Sequence, residues 1–298
     1  MKKNQAGFGA IEAVIAIVAV AIIIVIGAVI LGRSSDPKND KNVEDGGNSV
    51  TVSTNAFATP ITWSFNESTN KYDASPTPPE CSDRLMSKSP VDTTVATGVL
   101  YPGQYRGGSY KLHGGFAFTS SDATVVLPMD ASVTGLVRYI ESGETQYKVT
   151  FTNPCGIVFY FDHLLELSLD FQEIANSTPE AKKDDTKGLA LKQPIPFKAG
   201  DIIARRVGIP ATGNFGIDFG VIDMRSRNKI SKNSTWGEIH DTYKASEWFG
   251  ICWFDQLPPA DAGRVKALPA LDQQSGSRSD YCTNPTGTTL EVNSGKPV

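Results

Sequence analysis

The stretch that indicates the fold class most clearly is Phe215-Gly216-Ile217-Asp218-Phe219-Gly220-Val221-Ile222-Asp223. One face of this stretch carries the large apolar side chains Phe215, Ile217, Phe219 and Val221. The other face carries Gly216, Asp218, Gly220 and Ile222. Alternation with a period of two is typical of a half-buried β-strand. The stretch therefore predicts a strand with one face on the core and Asp218 on the other face.

More strands are predicted around this one, in segments separated by Gly, Asn and Pro. They cover residues 115–118, 123–127, 132–140, 146–152, 157–161 and 201–207, and a small hairpin is expected at 61–65 and 71–73. The charged stretch 179–187 is expected to be a solvated loop. Together these elements predict a mainly β fold, either a sandwich or a barrel.

The chain begins with an apolar run from Phe8 to Leu31 in which Glu12 is the one charged residue. A helix rises about 1.5 Å per residue, so this run would span about 36 Å, enough to cross the hydrocarbon core of a bilayer. Its many β-branched residues do not favour a strand, because a lone segment in lipid must satisfy its own backbone hydrogen bonds. A single N-terminal transmembrane helix over residues 8–31 is predicted.

Composition divides the rest of the chain. We expect a leader at 1–7, a flexible stalk at 32–48, a small irregular β segment at 49–100, a β-domain with a C-terminal extension at 101–282, and a disordered polar tail at 283–298. The net charge is −4, so no basic stripe points to a nucleic-acid partner. The membrane is the partner that the sequence predicts most directly.

The residues Gly7-Phe8-Gly9-Ala10-Ile11-Glu12 resemble the leader of type IV prepilins. That family has a short basic leader that ends in Gly, then Phe, then a Glu five residues into the mature chain. The resemblance implies cleavage between Gly7 and Phe8, and a role for Glu12 in registering one subunit against its neighbour. A Glu inside an apolar helix is costly, which favours a functional role. An ordinary signal anchor, with Glu12 at headgroup depth, is the alternative.

The expected state of the four cysteines depends on the compartment of the domain. Cys81, Cys155, Cys252 and Cys282 are widely spaced and form no CxxC pair, which argues against zinc binding and thiol redox chemistry. If the domain lies outside the cytoplasm, one or two disulfides are expected. Cys252 with Cys282 is the preferred pair, because that link would fix an irregular C-terminal segment. Buried free thiols are the alternative.

Several motifs follow one another between residues 101 and 225. They are His113-Gly114-Gly115, Leu127–Val133, Tyr160–Leu164, Lys198–Ala204 and the strand Phe215–Asp223. In this order they resemble the lysostaphin and LytM zinc endopeptidases, whose fold is the duplicated hybrid motif. The resemblance implies a β-sandwich or barrel of that type and a groove lined by His113, His163 and Asp218.

The same resemblance implies a loss of catalysis. In the active family, zinc is held by the first His, by an Asp four residues later and by the second His of the final motif. His113 is retained here, but Ala117 stands at the Asp position, and the final pair is Asp218 and Gly220. His163 matches the histidine that positions the attacking water. A catalytic zinc site needs three protein ligands, so the sequence predicts a remnant groove with no metal and no cofactor.

A rebuilt metal site is the alternative, with ligands drawn from Asp122, Asp218 or His240, and with zinc as the cofactor. The chain has three histidines, so this site would depend on carboxylates, which suit harder ions than zinc. The sequence contains no GxSxG elbow and no phosphate-binding loop, and no GxGxxG follows a strand. An aromatic cluster is expected to pack the C-terminal segment onto the core, with a ligand platform as the alternative; it comprises Trp248, Phe249, Trp253 and Phe254.

Three functions are compatible with these observations. The leading hypothesis is a membrane-anchored cell-surface protein whose degenerate peptidase-like domain binds peptidoglycan, other cell-wall material or a surface protein outside the cytoplasm. The second is an active cell-wall metalloendopeptidase with a rebuilt metal site. The third is a minor pilin-like filament component. Against the third, Gly32, Pro37 and Gly46-Gly47 would end the helix early, whereas pilins of the usual form continue it beyond the membrane.

Overall fold

The computed structural model of the protein describes residues 60–183, 185, 189–271 and 278–287. The predicted cleavage site at Gly7 and Phe8, the acidic Glu12, the transmembrane helix 8–31 and the stalk 32–48 lie outside these ranges. Within them, no helix combines the length and the apolar character needed to cross a bilayer.

Strands dominate the structure. In chain order they are β1 (Thr62–Asn66), β2 (Lys71–Ser75), β3 (Gly98–Leu100), β4 (Gln104–Arg106), β5 (Ser109–Lys111), β6 (Gly114–Ala117), β7 (Val125–Val126), β8 (Ala131–Glu141), β9 (Glu144–Asn153), β10 (Ile157–Leu167), β11 (Lys182–Lys183), β12 (Leu189–Phe197), β13 (Ile202–Val207) and β14 (Gly216–Asp223). The prediction of a mainly β fold is therefore confirmed.

Ten of the described strands join one sheet, whose central path is β11-β8-β9-β10-β14-β6-β3. β12 also pairs with β8, and β13 pairs with both β10 and β7. The hairpin of β1 with β2 and the hairpin of β4 with β5 form two small separate sheets. This order places β10, β14 and β6 side by side, so that His163 on β10 and Asp218 on β14 come close to His113, the residue before β6.

The helices are short. They are α1 (Leu169–Asn176), α2 (Ser234–Ile239), α3 (Lys244–Glu247) and α4 (Pro259–Ala267), with single 3-10 turns at Pro210–Thr212, Ile230–Lys232, Asp241–Tyr243 and Phe254–Gln256. α1 buries Phe171, Ile174 and Ala175 and contacts β8 and β10. Asn233 caps α2, because its side chain accepts a hydrogen bond from the Trp236 N–H.

Alternate side chains of β10 and β14 enter two different apolar clusters. Phe161 and Phe219 belong to the larger cluster and stack with their ring centroids 4.8 Å apart. Tyr160 and Ile222, which lie on the opposite face of these strands, belong to the smaller cluster. The alternation that predicted β14 therefore corresponds to burial of both faces, each against a different part of the chain.

The aromatic cluster of the C-terminal segment is buried. Trp253 and Phe254 pack in the larger cluster, whereas Trp248 and Phe249 pack in the smaller one. The rings of Phe65 and Tyr72, from the first hairpin, meet the ring of Phe249 edge to face. Packing of the C-terminal segment onto the β-core, which the sequence favoured over a ligand platform, agrees with this burial.

Five of the described strands were not predicted from the sequence, namely β3, β4, β5, β11 and β12, and β10 is longer than predicted. β12 was not predicted; most of its described side chains are exposed, so it lacks an alternating pattern. β11 lies in the expected loop 179–187 and pairs in parallel with Tyr139 and Ile140 through backbone bonds that the lysine side chains do not affect. β10 continues to Leu167 instead of ending at 161, because a bulge at Asp162 and His163 lets the strand resume.

The main sheet and its core begin before the predicted domain limit at residue 101, and ordered turns continue past the predicted limit at residue 282. β3, which precedes residue 101, is an edge strand of that sheet, and Leu85, Met86 and Val91 belong to the larger cluster. Near the C-terminus, the backbone N–H groups of Thr283 and Asn284 both donate to the carbonyl oxygen of Ser279. Residues 283–287 were expected to begin a disordered tail, but they form turns held by such bonds.

Both pairs of cysteines form disulfides, Cys81–Cys155 and Cys252–Cys282. The second is the pair that the sequence favoured. The first joins the segment before the main sheet to the turn between β9 and β10. None of the cysteines is a free thiol, which differs from the alternative of buried thiols.

Candidate functional site

The three residues of the expected groove lie together on one face of the sheet. His113 Nδ1 is 3.3 Å from Asp218 Oδ1, and His163 Nε2 is 3.6 Å from Asp218 Oδ2. Their side chains are between 12% and 19% exposed, so they are largely buried but open to solvent at one edge. Asp218 thus lies between two imidazoles that come from positions 50 residues apart in the chain.

The close approach of β6 to β14 places His113 beside Asp218. Gly115 is opposite Asp218 in this antiparallel pair. A Cβ at Gly115 would lie 2.1 Å from the carbonyl oxygen of Ile217, a distance that no side chain tolerates. Glycine is therefore required at this position, and the His113-Gly114-Gly115 motif has a structural reason as well as a resemblance.

A bulge in β10 places His163. The pairing of β10 with β9 shifts register between Phe161 and Leu164, and His163 has a φ of 61°. The backbone N–H of His163 donates to Asp162 Oδ1 at 2.9 Å, which stabilises the bulge. A non-glycine residue in the left-handed region costs free energy and is frequent at functional positions. The bulge turns the imidazole toward Asp218 on the neighbouring strand.

Acidic and phenolic groups from β8 and β10 surround His163. Its Nδ1 lies 3.5 Å from Glu141 Oε2 and 3.4 Å from the Tyr139 hydroxyl. The Tyr139 hydroxyl donates to Asp162 Oδ1 at 2.6 Å. His163 therefore has carboxylates on both sides of its ring, Asp218 at Nε2 and Glu141 at Nδ1.

Basic groups balance these carboxylates. Arg106 Nη2 donates to the carbonyl oxygen of His113 at 2.9 Å and lies 3.2 Å from His113 Nδ1. Lys148 Nζ lies 3.6 Å from Asp162 Oδ2 and 4.6 Å from the centre of the Tyr160 ring. We call Arg106, His113, Tyr139, Glu141, Lys148, Asp162, His163 and Asp218 the Asp218 cluster.

The charges of the cluster shift the pKa values of its members in opposite directions. Burial alone would raise the pKa of Asp218, but His113, His163 and Arg106 outweigh it and hold that pKa well below its usual range. Burial alone would lower the pKa of His163, but the carboxylates of Asp218, Asp162 and Glu141 outweigh it and raise that pKa. Compared with the free side chains, the cluster therefore stabilises the ionised form of Asp218 and the protonated form of His163.

The two positions expected to have lost metal ligands differ in their surroundings. A Cβ at Gly220 would lie 2.5 Å from the Tyr160 ring, so that ring fills the space beside Gly220. Ala117 pairs with Gly216 and Gly98 at the end of β6. The position of the final motif that contacts His113 is Asp218, not Gly220.

The donor set does not fit zinc as it is arranged. Nδ1 of His113 already faces Asp218 Oδ1, the carbonyl oxygen of Gly114 at 3.1 Å and the cationic Arg106. A metal ion bound at that nitrogen would be placed close to a guanidinium, which repels it. In the part of the chain that the structure describes, no group of three or more His, Cys, Asp or Glu side chains is arranged as a metal site.

The residues considered for a rebuilt site do not meet. Asp122 lies 3.5 Å from Arg206 Nε at an exposed position. His240 is buried, stacks on Trp236 at 3.9 Å, and its Nδ1 lies 2.5 Å from Glu247 Oε2. Of the rebuilt set, Asp218 is the member that lies beside His113 and His163.

Five members of the cluster were not expected from the sequence: Arg106, Tyr139, Glu141, Lys148 and Asp162. They come from β4, β8, β9 and β10, and they meet because of strand register. The two-residue spacing of Tyr139 and Glu141 on one strand was a usable signal, since it places both on the same face. The contact of Arg106 with His113 could not be predicted from the sequence, because it depends on the hairpin of β4 with β5.

Comparison with known proteins finds no matching family model, no matching curated protein and no matching solved structure.

Proposed function

We propose that this chain is an anchored cell-surface binding protein whose β-domain holds cell-wall material or a partner protein at the Asp218 cluster without hydrolysing it. The predicted transmembrane helix 8–31 supplies the anchor, after a prepilin-like leader. Residues 101–225 resemble lysostaphin and LytM endopeptidases, and this resemblance is the reason for proposing peptidoglycan as the target. The same resemblance leads us to propose the duplicated hybrid motif as the finer description of the fold.

One observation carries this proposal: the carboxylate of Asp218 lies between His113 and His163, and Arg106 adds a positive charge on the side of His113. A catalytic zinc ion would require an open coordination position among deprotonated ligands. Here the polar groups are instead satisfied by one another, with a rim open to solvent. Such an arrangement suits recognition of a polar ligand, because the cluster can contact that ligand while its own ion pairs stay in place.

The two disulfides support the proposed location. Disulfides form and persist in oxidising compartments and are rare in the reducing cytosol. Cys81–Cys155 and Cys252–Cys282 pair all four cysteines of the chain. A β-domain held outside the cytoplasm by an N-terminal helix agrees with that chemistry.

A sedimentation assay tests the proposal. The full-length chain, purified in detergent, is mixed with peptidoglycan sacculi from Gram-positive or Gram-negative bacteria, and the bound fraction is measured. We expect the wild-type chain to sediment with the sacculi, and Asp218→Asn and His163→Gln to bind at least tenfold more weakly. Asp122→Asn, at an exposed position outside the cluster, is the matched control and should bind normally.

The same mixtures distinguish the competing functions. Release of soluble wall fragments that requires added zinc and is lost in His113→Ala would establish the endopeptidase instead. Recovery of the chain in sheared filament fractions would favour the pilin-like component. Equal binding by the wild type and by Asp218→Asn would exclude the cluster as the binding surface.

A further inference from the structure

A concave site lies outside the Asp218 cluster. It has a volume of about 680 Å³, and among the described residues it shares no lining side chain with that cluster. Its wall includes Arg227, Ser231, Lys232, Glu238, Asp241 and Trp248. Pockets for small molecules usually have volumes of about 300 to 1,000 Å³, so this one is large enough for a ligand of a few linked groups.

The backbone around Arg227 is rigidly held. The side-chain amide of Asn228 donates to the carbonyl oxygens of Glu247 at 2.8 Å and Gly250 at 2.9 Å. The backbone N–H of Asn228 also donates to the carbonyl oxygen of Trp248 at 2.7 Å. These bonds tie the segment that carries Arg227 to the segment that carries Trp248, so the two side chains face each other in a fixed geometry.

Part of the Arg227 guanidinium already has partners. Its Nε donates to the Ser231 hydroxyl at 3.2 Å, its Nη2 donates to the Ser231 carbonyl oxygen, and its face lies 3.9 Å from the centre of the Trp248 ring. A guanidinium has five N–H donors. The edge formed by Nη1 and Nη2 thus has N–H groups that these contacts do not use. Two such donors side by side match the two acceptor oxygens of a carboxylate.

The charge of Arg227 is not neutralised by a neighbouring acid. Across the described ranges, no Asp or Glu oxygen lies within 4 Å of its guanidinium, although ion pairs of this length occur for Arg225 and Arg264. Burial lowers the pKa of Arg227, the direction expected for a cation that loses water without gaining an anion. A ligand carboxylate would supply the missing counter-charge.

Trp248 adds a second unmet donor to the same wall. The side chain is 7% exposed, and its indole N–H has no hydrogen-bond partner among the described residues. Buried donors without partners are uncommon in native proteins. This N–H is buried within the wall, so Arg227 is the residue whose unused donors a bound ligand can contact.

The opposite charges on the rim define the ligand further. Lys232 adds a second positive charge, whereas Glu238 and Asp241 add two negative charges, all at exposed positions. Asp241 Oδ1 also lies 3.5 Å from Lys244 Nζ, outside the lining, so Glu238 is the acid of this wall without an ion-pair partner among the described residues. Because the formal charges of the lining cancel, a dianionic phosphate gains little net attraction. A molecule that carries one carboxylate and one ammonium group matches the lining better.

We propose that this pocket binds a small zwitterionic molecule of the amino-acid or short-peptide class, with its carboxylate on the free edge of Arg227 and its ammonium group toward Glu238 and Asp241. The site is separate from the Asp218 cluster, so it does not depend on the proposed wall-binding function.

Isothermal titration of the full-length chain in detergent tests this proposal with four probes: the dipeptide Ala-Ala, its C-terminal amide, its N-acetyl form and inorganic phosphate. We expect the dipeptide to bind, and the amide and the N-acetyl form to bind more weakly because each lacks one charge. Arg227→Lys keeps the positive charge but loses the fork, and should weaken dipeptide binding about tenfold, equivalent to about 1.4 kcal/mol. Arg225→Lys is the matched control, since Arg225 pairs with Asp223 and does not line the pocket.

If Arg227→Lys is unstable, a variant at the exposed edge of the pocket still tests the proposal. Glu238 is exposed, and Glu238→Gln should weaken binding of Ala-Ala while leaving the N-acetyl form unchanged. The proposal is overturned if the dipeptide does not bind at millimolar concentration, if phosphate binds more tightly than the dipeptide, or if both variants bind all probes as the wild type does.

Discussion

The hydroxyl of Tyr139 donates a 2.6 Å hydrogen bond to Asp162 Oδ1, and this contact links β8 to β10 across the intervening strand β9. Tyr139 is 1% exposed, and burial together with the adjacent Asp162 raises its pKa well above the ordinary value, so it remains a neutral donor. The same Asp162 oxygen accepts the backbone N–H of His163. One carboxylate therefore connects the buried tyrosine to the bulge that places the imidazole.

Replacing Tyr139 with Phe tests this contact. The change removes one donor from a carboxylate and leaves the ring in place, so we expect the free energy of unfolding to fall by about 1.5 to 3 kcal/mol. Urea unfolding of the two proteins gives the difference. Tyr243→Phe is the control, because that side chain is 38% exposed, and it should change stability by less than about 0.5 kcal/mol.

Asp218→Asn should lower the pKa of His163. The carboxylates around His163, with Asp218 the strongest among them, raise its pKa above the ordinary value. A raised folded-state pKa contributes stability that is complete below the unfolded value, about 6.5, and is lost as the pH rises through the folded value. NMR titration of the His163 ring protons measures the shift directly.

The stability of the wild type should accordingly decline as the pH rises through the raised pKa of His163, and this decline should be smaller in Asp218→Asn. Urea midpoints across that pH range give the comparison. An unchanged His163 titration in the variant would mean that Asp218 does not hold the proton on the imidazole.

Gly220→Ala should destabilise the domain, since the added methyl group would lie 2.5 Å from the Tyr160 ring. Overpacking of this kind usually costs about 1 to 3 kcal/mol. Gly263→Ala is the paired control. Its Cβ would meet nothing within 4 Å, and alanine inside a helix should stabilise by about 0.5 to 1 kcal/mol. The midpoints of thermal unfolding of the two variants should therefore shift in opposite directions from that of the wild type. A shift of both midpoints in the same direction would contradict this packing account.

Removal of either disulfide should destabilise the protein by an amount that follows loop length. Cys252–Cys282 spans 30 residues and Cys81–Cys155 spans 74. The chain-entropy relation gives about 3.6 kcal/mol for the shorter loop and about 4.4 kcal/mol for the longer one. Double Cys→Ser variants, compared by urea unfolding, give these values. A much larger loss for the shorter loop would show that it holds native contacts together and does more than restrict the unfolded chain.

Local pattern predicted the strands whose two faces differ. β14 alternates apolar and small residues, and its limits agree with prediction to within one residue. β12 escaped prediction, since most of its described side chains are exposed and its role is to hydrogen-bond the backbone of β8. Exposed edge strands carry little of the periodicity on which sequence reasoning depends.

The candidate site was predictable only in part, for a related reason. His113, His163 and Asp218 were expected from the order of motifs, and they lie together. Arg106 and Glu141 were not expected, because their contacts require the register of β4 with β5 and of β8 with β9, which residue spacing does not specify. The sequence thus indicated three side chains that lie together, but not which charges surround them.

The Cys81–Cys155 disulfide has a mechanical consequence under the proposed anchoring of the chain by its N-terminal segment. A pulling force that enters before Cys81 passes through the covalent bond directly to Cys155, so the backbone of residues 82–154 is not part of the covalent path that carries the force. Strands β3 to β9, including the segment with His113, lie inside that closed loop. Tension can therefore stretch the chain on either side of the bond, while these strands cannot be extended beyond the length of the loop.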